Sequence, residues 1–490
     1  MTSLSKRHVR ILFAALLTLS VVSVGYGFAT SVTDTTFESH LGSDGVENRS
    51  AKIAPEADGI TVVATDSNSW RGQASEGPRA RAELVAFNPN GTVRYYNDTH
   101  TRYWDVDPVP GTRATVEYSY ADHRSGDECP DAGEWNASQY GVSNETWQTY
   151  YEVHADANAC TYNGVERVNL TTGTVEKVWG HLTPGKEATR YHDVDRINDT
   201  HLAVADIFLD GVFVVNTTSD ELVWRWNATD AYDPGKTGGP FPEDWTHIND
   251  VEVLKDGRIM VSARNLDRVL FLSSDDHTVQ KAQTLGKEDN YGILYEQHNP
   301  DFVNASNGGP AAIVADSENN RVVEYQRSDG NWTQSWIWRD ARMQWPRDAD
   351  RLPNGHTLIA DSNGNRVFEV DENGDVVWSL NIAFPYEVER LETGDESTNG
   401  PSARSANIAS RSGSLVNRFW INAKGLIPGK YLNGLMYITP IWMGVPEVFA
   451  IALGLVALLA WGGFELRWFV GRRRRAAATG AADEPTTEQD

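Results

Sequence analysis

Hydrophobic and polar positions along the chain fall into two regimes. Ile11 to about Ala29 is a continuous apolar run behind Lys6, Arg7 and Arg10, and Val445–Val470 is another, followed at once by Arg472–Arg475. Both are long enough to span a bilayer, although Glu447 and Glu465 confine the clean core of the second to its middle. Between them the apolar residues come in short β-type runs, separated by Asn-Gly, Asp-Gly and Asn/Ser/Thr clusters that predict tight turns.

The short runs repeat. Trp345–Leu380 parses as four strands, A to D, around Asn-Gly, Asn-Gly-Asn and Glu-Asn-Gly turns. The same grammar recurs at Arg190–Trp226, at His247–Gln283 with TVQKAQ as its D run, and at His298–Trp338. An earlier unit opens at Arg102, takes a long insertion and closes at Trp179. Ile60–Tyr96 supplies B, C and D runs without an A, and Phe384–Leu391 (FPYEVERL) matches WPRDADRL with nothing after it. A lone C-terminal A strand completing a unit that lacks one is how a ring of blades is closed. The fold class is therefore all-β, a six-bladed β-propeller with a split closing blade, flanked by N- and C-terminal transmembrane helices.

The expected layout is a signal or anchor segment over 1–30, a linker over 31–57, the propeller over 58–393 with its insertion at about 108–160, a linker and interfacial stretch over 394–444, a transmembrane helix over 445–470, and a tail over 471–490. Basic residues flanking both apolar runs place both termini in the cytoplasm and the propeller outside the cell membrane; whether the first run is cleaved stays open. Asn-x-Ser/Thr sequons, from Asn48 and Asn90 to Asn304 and Asn331, agree with an outer-face glycoprotein, but the same residues also make turns. Cys129 and Cys160 share one polar stretch on that side. A bridge between them is expected, constraining the unfolded chain by about 3–4 kcal/mol.

Charge then changes the picture. The chain of 490 residues carries 68 Asp plus Glu against 43 Lys plus Arg, a formal net charge of −25, which excludes a basic nucleic-acid-binding surface. Abundant Asp with Arg favoured over Lys fits a protein hydrated in concentrated salt, and a halophilic archaeon is the expected source; an acidic extracellular protein of ordinary origin is the alternative.

In a propeller, A-strand starts and B-strand ends gather around one channel mouth. Aligning the units puts Phe384, Arg102, Arg190, His247, His298 and Trp345 in a first ring, and Tyr386, Trp104, His192, Asn249, Pro300 and Arg347 in a second. The B ends add Asp66, Asp206, Arg264, Asp316 and Asp361. Arginines and three histidines converging on an acidic protein suit a small anion, with Trp104, Trp345 and Tyr386 as platforms for a flat ring.

These residues resemble the outer-face aryl sulfotransferases, which use a phenolic sulfate as donor. The resemblance covers most of Ile60–Leu391 and rests on three local matches: THIND (His247, Asn249), VSARNLDRV (Arg264) and EQHNPDF (His298), with RYHDVDRI (His192) a looser fourth. It implies a six-bladed propeller that moves a sulfuryl group to a hydroxyl acceptor through a covalent sulfohistidine. His298 would be the nucleophile, His247, His192, Arg264 and Asn249 the other catalytic groups, and Arg102, Arg190, Trp104, Trp345, Arg347 and Tyr386 would bind substrate. The long insertion and the C-terminal anchor depart from the soluble pattern.

The chemistry suits the residue types on its own terms: a neutral imidazole attacks sulfur, and arginines and amides stabilise the anionic transition state. No cofactor and no metal are expected. GHLTPGKE from Gly180 has phosphate-loop spacing but lacks the Ser/Thr and a following helix. Asp371-x-Asn373-x-Asp375 is a hairpin turn, and His356 and His277 lie at turns far from the mouth. The competing function is a non-catalytic membrane-anchored propeller that binds an anionic glycan or a protein partner at the cell surface.

Overall fold

The computed structural model describes residues 5–30, 52–66, 82–156, 158–273, 275–411 and 413–480; Asn48, most of the 31–57 linker and the last ten residues of the tail lie outside them. Six four-stranded antiparallel sheets form the blades of a propeller. In chain order, blade I has Thr61–Thr65, Leu84–Phe87 and Val93–Asn97, and its innermost strand is Pro385–Arg390 from the far end of the ring. Val63 pairs with Val388 across that closure. Blade II starts at Arg102–Pro108, blade III at Tyr191–Asn198, blade IV at Ile248–Val253, blade V at His298–Val303 and blade VI at Pro346–Arg351.

Alternation within each strand sends side chains to both faces of a blade, so each pair of neighbouring blades buries its own apolar seam. Val62, Leu84 and Tyr118 fill the seam between blades I and II, Met260, Phe271 and Val314 that between IV and V, and Val63, Leu358 and Trp378 the one that shuts the ring. Because the last seam needs Val388 from the C-terminal strand, closure is hydrophobic as well as hydrogen-bonded.

Several expectations change. TVQKAQ is not the outer strand of blade IV; after a single bridge at Val279 the chain turns, and Leu285–Gly286 pairs with Val269 and Arg268. The insertion is narrower than 108–160, because Thr115–Ser125 and Ala159–Asn169 are long paired strands of blade II. What is inserted between them carries the helix Asn144–His154, and Cys129 is disulfide-bonded to Cys160. The stretch expected as a linker over 394–444 instead packs back onto the propeller: Ser397, Ser402 and Ala403 are buried, and helices Leu415–Lys424 and Gly429–Ile438 follow. Sequon side chains serve turns, Asn90, Asn97 and Asn198 each accepting from the backbone N–H two residues on.

Lys6–Thr30 and Val445–Gly480 are helices, and both contain stretches long and apolar enough to cross a membrane. The two pack together, with Phe13 on Trp461 and Arg10 paired to Glu465. The second helix runs on through the arginine cluster instead of ending at 470.

Candidate active site

Every innermost strand breaks register as it leaves the mouth. The ladder slips between Tyr103 and Val106, Tyr191 and Asp193, Ile248 and Asp250, His298 and Pro300, and Pro346 and Asp348; in blade I the slip falls opposite Pro385–Glu387. Such a bulge leaves a residue unpaired and re-aims it. Here that residue is His192, Asn249, Asn299, Arg347 or Tyr386, and in blade II Trp104 with Asp105, so the second ring contains Asn299 in place of the Pro300 expected from alignment. Three residues just before the bulges, His247, Trp345 and Phe384, hold left-handed backbones with φ of 49°, 59° and 51°. That conformation costs non-glycine residues roughly 1–2 kcal/mol each. Side chains hold two of them, as Asn320 accepts from Trp345 N and Asn365 from Phe384 N.

His298 is 1% exposed. Its Nδ1 lies 2.7 Å from Ser317 Oγ, which is also 2.7 Å from Pro346 O and 3.2 Å from Ala315 O. The single hydroxyl proton goes to a carbonyl, so Ser317 accepts from Nδ1–H and the His298 lone pair is on Nε2. Among the described residues Nε2 has no hydrogen-bond partner. Burial first, then Arg347 and Arg264, hold the imidazole well below its usual pKa, which keeps it neutral.

The other histidines are fixed differently. His247 Nδ1 is 2.5 Å from Asp244 Oδ1, yet burial, together with Arg264, lowers its pKa to about 4. His192 stacks on Trp104 at 4.1 Å, and its Nδ1 is 3.2 Å from the Tyr386 hydroxyl; burial and the charge of His247 hold it low too. His192 and His247 meet edge to face at 5.4 Å, and Tyr386 lies 6.3 Å from His298, so the three imidazoles line one space. Asn249 is fully buried and donates to Gln297 O, beside the nucleophile candidate.

The arginines divide into held and available. Arg102 is paired with Asp66, and Arg264 donates to Glu296 at 2.7 Å. Burial opposes charge on Arg264, but Glu296 and Asp244 outweigh it and raise its pKa. Arg190, which lies over Trp104, is lowered to about 10 by burial and by Arg102. Arg347 forms no ion pair among the described residues; its guanidinium lies 4.0 Å from the Trp345 ring and 4.8 Å from Tyr386. It is the largest charge acting on His298.

Of the B-strand aspartates, Asp66 stays at the mouth on Arg102, and the other three turn away from it. Asp206, Asp316 and Asp361 bind Arg225, Arg321 and Arg366, and Asp316 and Asp361 also accept from the backbone of Tyr295 and Gln344. They secure the loops between blades. Blade IV breaks the rule: Arg264 replaces the aspartate, and Asp267 takes over its loop by accepting from Asp289 N and Glu296 N. The insertion contributes at one remove, since Tyr150 donates to Asp210, which also accepts from Thr246 N beside His247.

Alignment missed Ser317, Asp244, Glu296 and the helix Gly429–Ile438. That helix covers the mouth: Lys430 pairs with Glu296 at 2.6 Å, Asn433 donates to Glu318, and a Cβ on Gly429 would collide with Glu318 O. Tyr437 contacts Trp345 at 6.0 Å and Phe384 at 5.5 Å. Ser317 is foreshadowed in the Asp-Ser pairs after strand B (ADSENN, ADSNGN), whereas nothing in a short amphipathic stretch past the last blade announces a lid.

The arylsulfotransferase (ASST) family model matches residues 208–383, which run from the end of blade III's second strand to the threshold of the closing strand. With the six-bladed ring, this match supports that family and, at family level, a sulfotransferase acting on small aryl sulfates and acceptors. No curated protein matches the chain. Similar solved structures include a protein of unknown function from Bacteroides caccae (10% identity, 68% of this chain and 100% of that one, TM-score 0.40). Others are a periplasmic gluconolactonase of Pseudomonas aeruginosa (12%, 68% and 99%, 0.41) and a virginiamycin B lyase of Staphylococcus aureus (6%, 66% and 88%, 0.34).

Proposed function

We propose that the channel mouth transfers a sulfuryl group from a phenolic sulfate ester to a phenolic or other hydroxyl acceptor in two displacements. The observation that carries this reading is His298: neutral, tautomer set by Ser317, with an Nε2 that has no partner among the described residues and lies beside Arg347, a cation with no carboxylate of its own among them. Its Nε2 forms a bond to sulfur as the sulfur–aryl oxygen bond breaks, and the electron pair leaves with the phenolate. The leaving oxygen departs as phenolate, and neutral His192, linked to the Tyr386 hydroxyl, is placed to take the acceptor's proton in the second step. The acceptor oxygen then attacks sulfur and the N–S bond breaks, restoring His298.

Charge on the transferred group rises little, so catalysis rests on positioning and on donors aimed at the sulfate oxygens. Arg347 is the main one. Arg264 supplies the donors that Glu296 does not occupy, and His247 and Asn249 add theirs; Arg102 and Arg190 set the positive field. Trp104, Trp345, Tyr386 and Tyr437 offer faces for the aryl ring. The apolar helices anchor the chain in the cell membrane, with the propeller and its sequons outside and both termini in the cytoplasm. A halophilic archaeal origin accounts for the net charge.

The test is to incubate the full-length protein, in high salt, with p-nitrophenyl sulfate and no acceptor, then digest it for mass spectrometry. The expected result is one added sulfuryl group on His298, lost when phenol is added, and none on His298→Ala. A fully active His298→Ala protein would overturn the mechanism.

A further inference from the structure

Below the mouth the channel is lined by carboxylates, and their hydrogen bonds reveal a division of labour. The innermost strand of each blade is an edge strand whose outer N–H groups face the channel and need acceptors. Carboxylates of the preceding blade supply them: Asp193 accepts from Val251 N, Asp195 from Val253 N, Glu252 from Phe302 N, Asp348 from Val388 N and Glu387 from Val106 N. These groups lace the blades together, which explains why carboxylates stand there.

Asp105 does not take part. It is 1% exposed, and among the described residues its oxygens meet no N–H or hydroxyl donor, their one polar neighbour being the carboxyl of Asp193. It groups with Asp107, Glu387 and Glu396, one oxygen of each lying within 4.8 Å of the others; Asp301, Asp348, Asp350 and the same Glu396 form a second such group. Glu396 comes from the segment after the closing strand, and its backbone is left-handed, with φ of 48°. That segment therefore pushes a further acid into a ring of buried acids, and among the described residues none of these carboxylates has a cationic partner. Charged carboxylates gathered this closely and this deeply repel one another unless a cation lies between them.

We propose that the acidic end of the channel binds calcium, in a site built on Asp105 and Glu396, with Glu396 bridging the two carboxylate groups. All the ligands are hard oxygens, several can bind through both oxygens, and no nitrogen or sulfur is present. Calcium takes six to eight such ligands, whereas magnesium prefers one or two carboxylates with several waters. The bound ion ties blades I, II, V and VI to the segment that follows the closing strand, and so locks the split blade. The site stands apart from the transfer chemistry and from the expectation that the chain holds no metal.

Full-length protein in detergent and constant high salt, dialysed against chelator and then given calcium at pH 7.5, tests this. The expected result is one or two calcium equivalents retained by elemental analysis and a Tm about 4 °C higher than in chelator. Asp105→Asn should fold, keep its Tm in chelator and lose the calcium response; if it does not fold, Glu396→Gln, on a segment outside the blades, should bind calcium at least about tenfold more weakly. No retained calcium with an unchanged Tm, or an equal response to magnesium, overturns the assignment. So does a calcium response preserved in both variants.

Discussion

The two tiers of the channel lie one residue apart on five of the six innermost strands, about 3.3 Å along the strand, and have opposite character. At the mouth the bulged positions hold Trp104, His192, Asn249, Arg347 and Tyr386. One step down stand Asp105, Asp193, Asp250, Asp348 and Glu387. In the lower tier Asp193, Asp348 and Glu387 each accept from an N–H on the next blade, while Asp105 takes no such part. The upper tier leaves polar atoms without partners among the described residues, including His298 Nε2 and His192 Nε2, and accepts left-handed backbones at His247, Trp345 and Phe384. Backbone strain thus marks the tier proposed to do chemistry, and inter-blade hydrogen bonds mark the tier that holds the ring together.

The sharpest way to break the contrast is to take the free cation from the mouth. Arg347→Ala should lower kcat/KM for p-nitrophenyl sulfate about 10²–10³-fold, the usual loss for one transition-state donor, and Arg347→Lys should recover part of it. The acid limb of the rate profile reports the same change. With Arg347 present, burial and positive neighbours keep His298 neutral to low pH, and His247 titrates at about 4. Removing a positive neighbour makes the imidazolium easier to form, so the fall in rate should begin at higher pH in Arg347→Ala. An unmoved acid limb would mean that Arg347 does not act on His298.

Ser317→Ala comes next, with an expected loss of about 10–100-fold in kcat, as for other groups that orient a ligand or nucleophile through a single hydrogen bond. KM should change little, because Ser317 contacts the side of the imidazole away from Nε2. Ser317→Thr should restore rate, and wild-type kcat in Ser317→Ala would show that the tautomer needs no such restraint.

How much of this was readable beforehand follows from what kind of signal each feature leaves. Blades, split closure and first ring are written in alternation and turns, where each residue answers to its own strand. The offset that brings in Asn299 for Pro300 is a bulge, and a bulge adds one residue without changing the pattern. Strand B ends at the mouth, which points Asp206, Asp316 and Asp361 there by sequence, but their arginine partners Arg225, Arg321 and Arg366 turn them back into the blades. Asp244, Glu296 and Tyr437 come from loops or from a helix beyond the ring, and proximity between such segments has no periodic trace. Glu396 was hidden the same way, in a stretch whose composition reads as a linker.

Stability against pH separates the tiers again. At the mouth, burial of Glu296 is outweighed by Arg264 and Lys430, so its pKa falls to about 2; its contribution is present above the ordinary carboxylate range and lost as pH drops toward 2. In the lower tier burial raises Asp193 and Asp301 to about 7. The folded state there binds more protons than the unfolded chain between about pH 4 and 7, so stability falls as pH rises through that window. In chelator, Tm should therefore peak near pH 4–5 and drop by several degrees by pH 7.5; calcium should flatten the drop. A chelated protein whose Tm rises from pH 5 to 7.5 would show that the lower tier is not a ring of raised carboxylates.

The smallest expected effect is at the lid, where the contrast is between a ring residue and one from outside the ring. Tyr437 and Trp345 both face the space above His298, but Trp345 is fixed by its backbone bond to Asn320, while Tyr437 rides on the helix Gly429–Ile438, held by Lys430 and Asn433. If the lid supplies one face of the donor site, Tyr437→Leu should raise KM for the aryl sulfate about three- to tenfold, the worth of an aromatic contact of roughly 0.5–1.5 kcal/mol, with kcat nearly unchanged. Tyr437→Phe separates the ring from the hydroxyl: retained KM assigns the effect to stacking, and a raised KM assigns it to a polar contact of the phenol. Lys430→Ala, which loosens the helix without touching the aromatic faces, should give a smaller rise of the same kind. If kcat falls instead, the helix limits substrate exchange and is not a wall of the donor site.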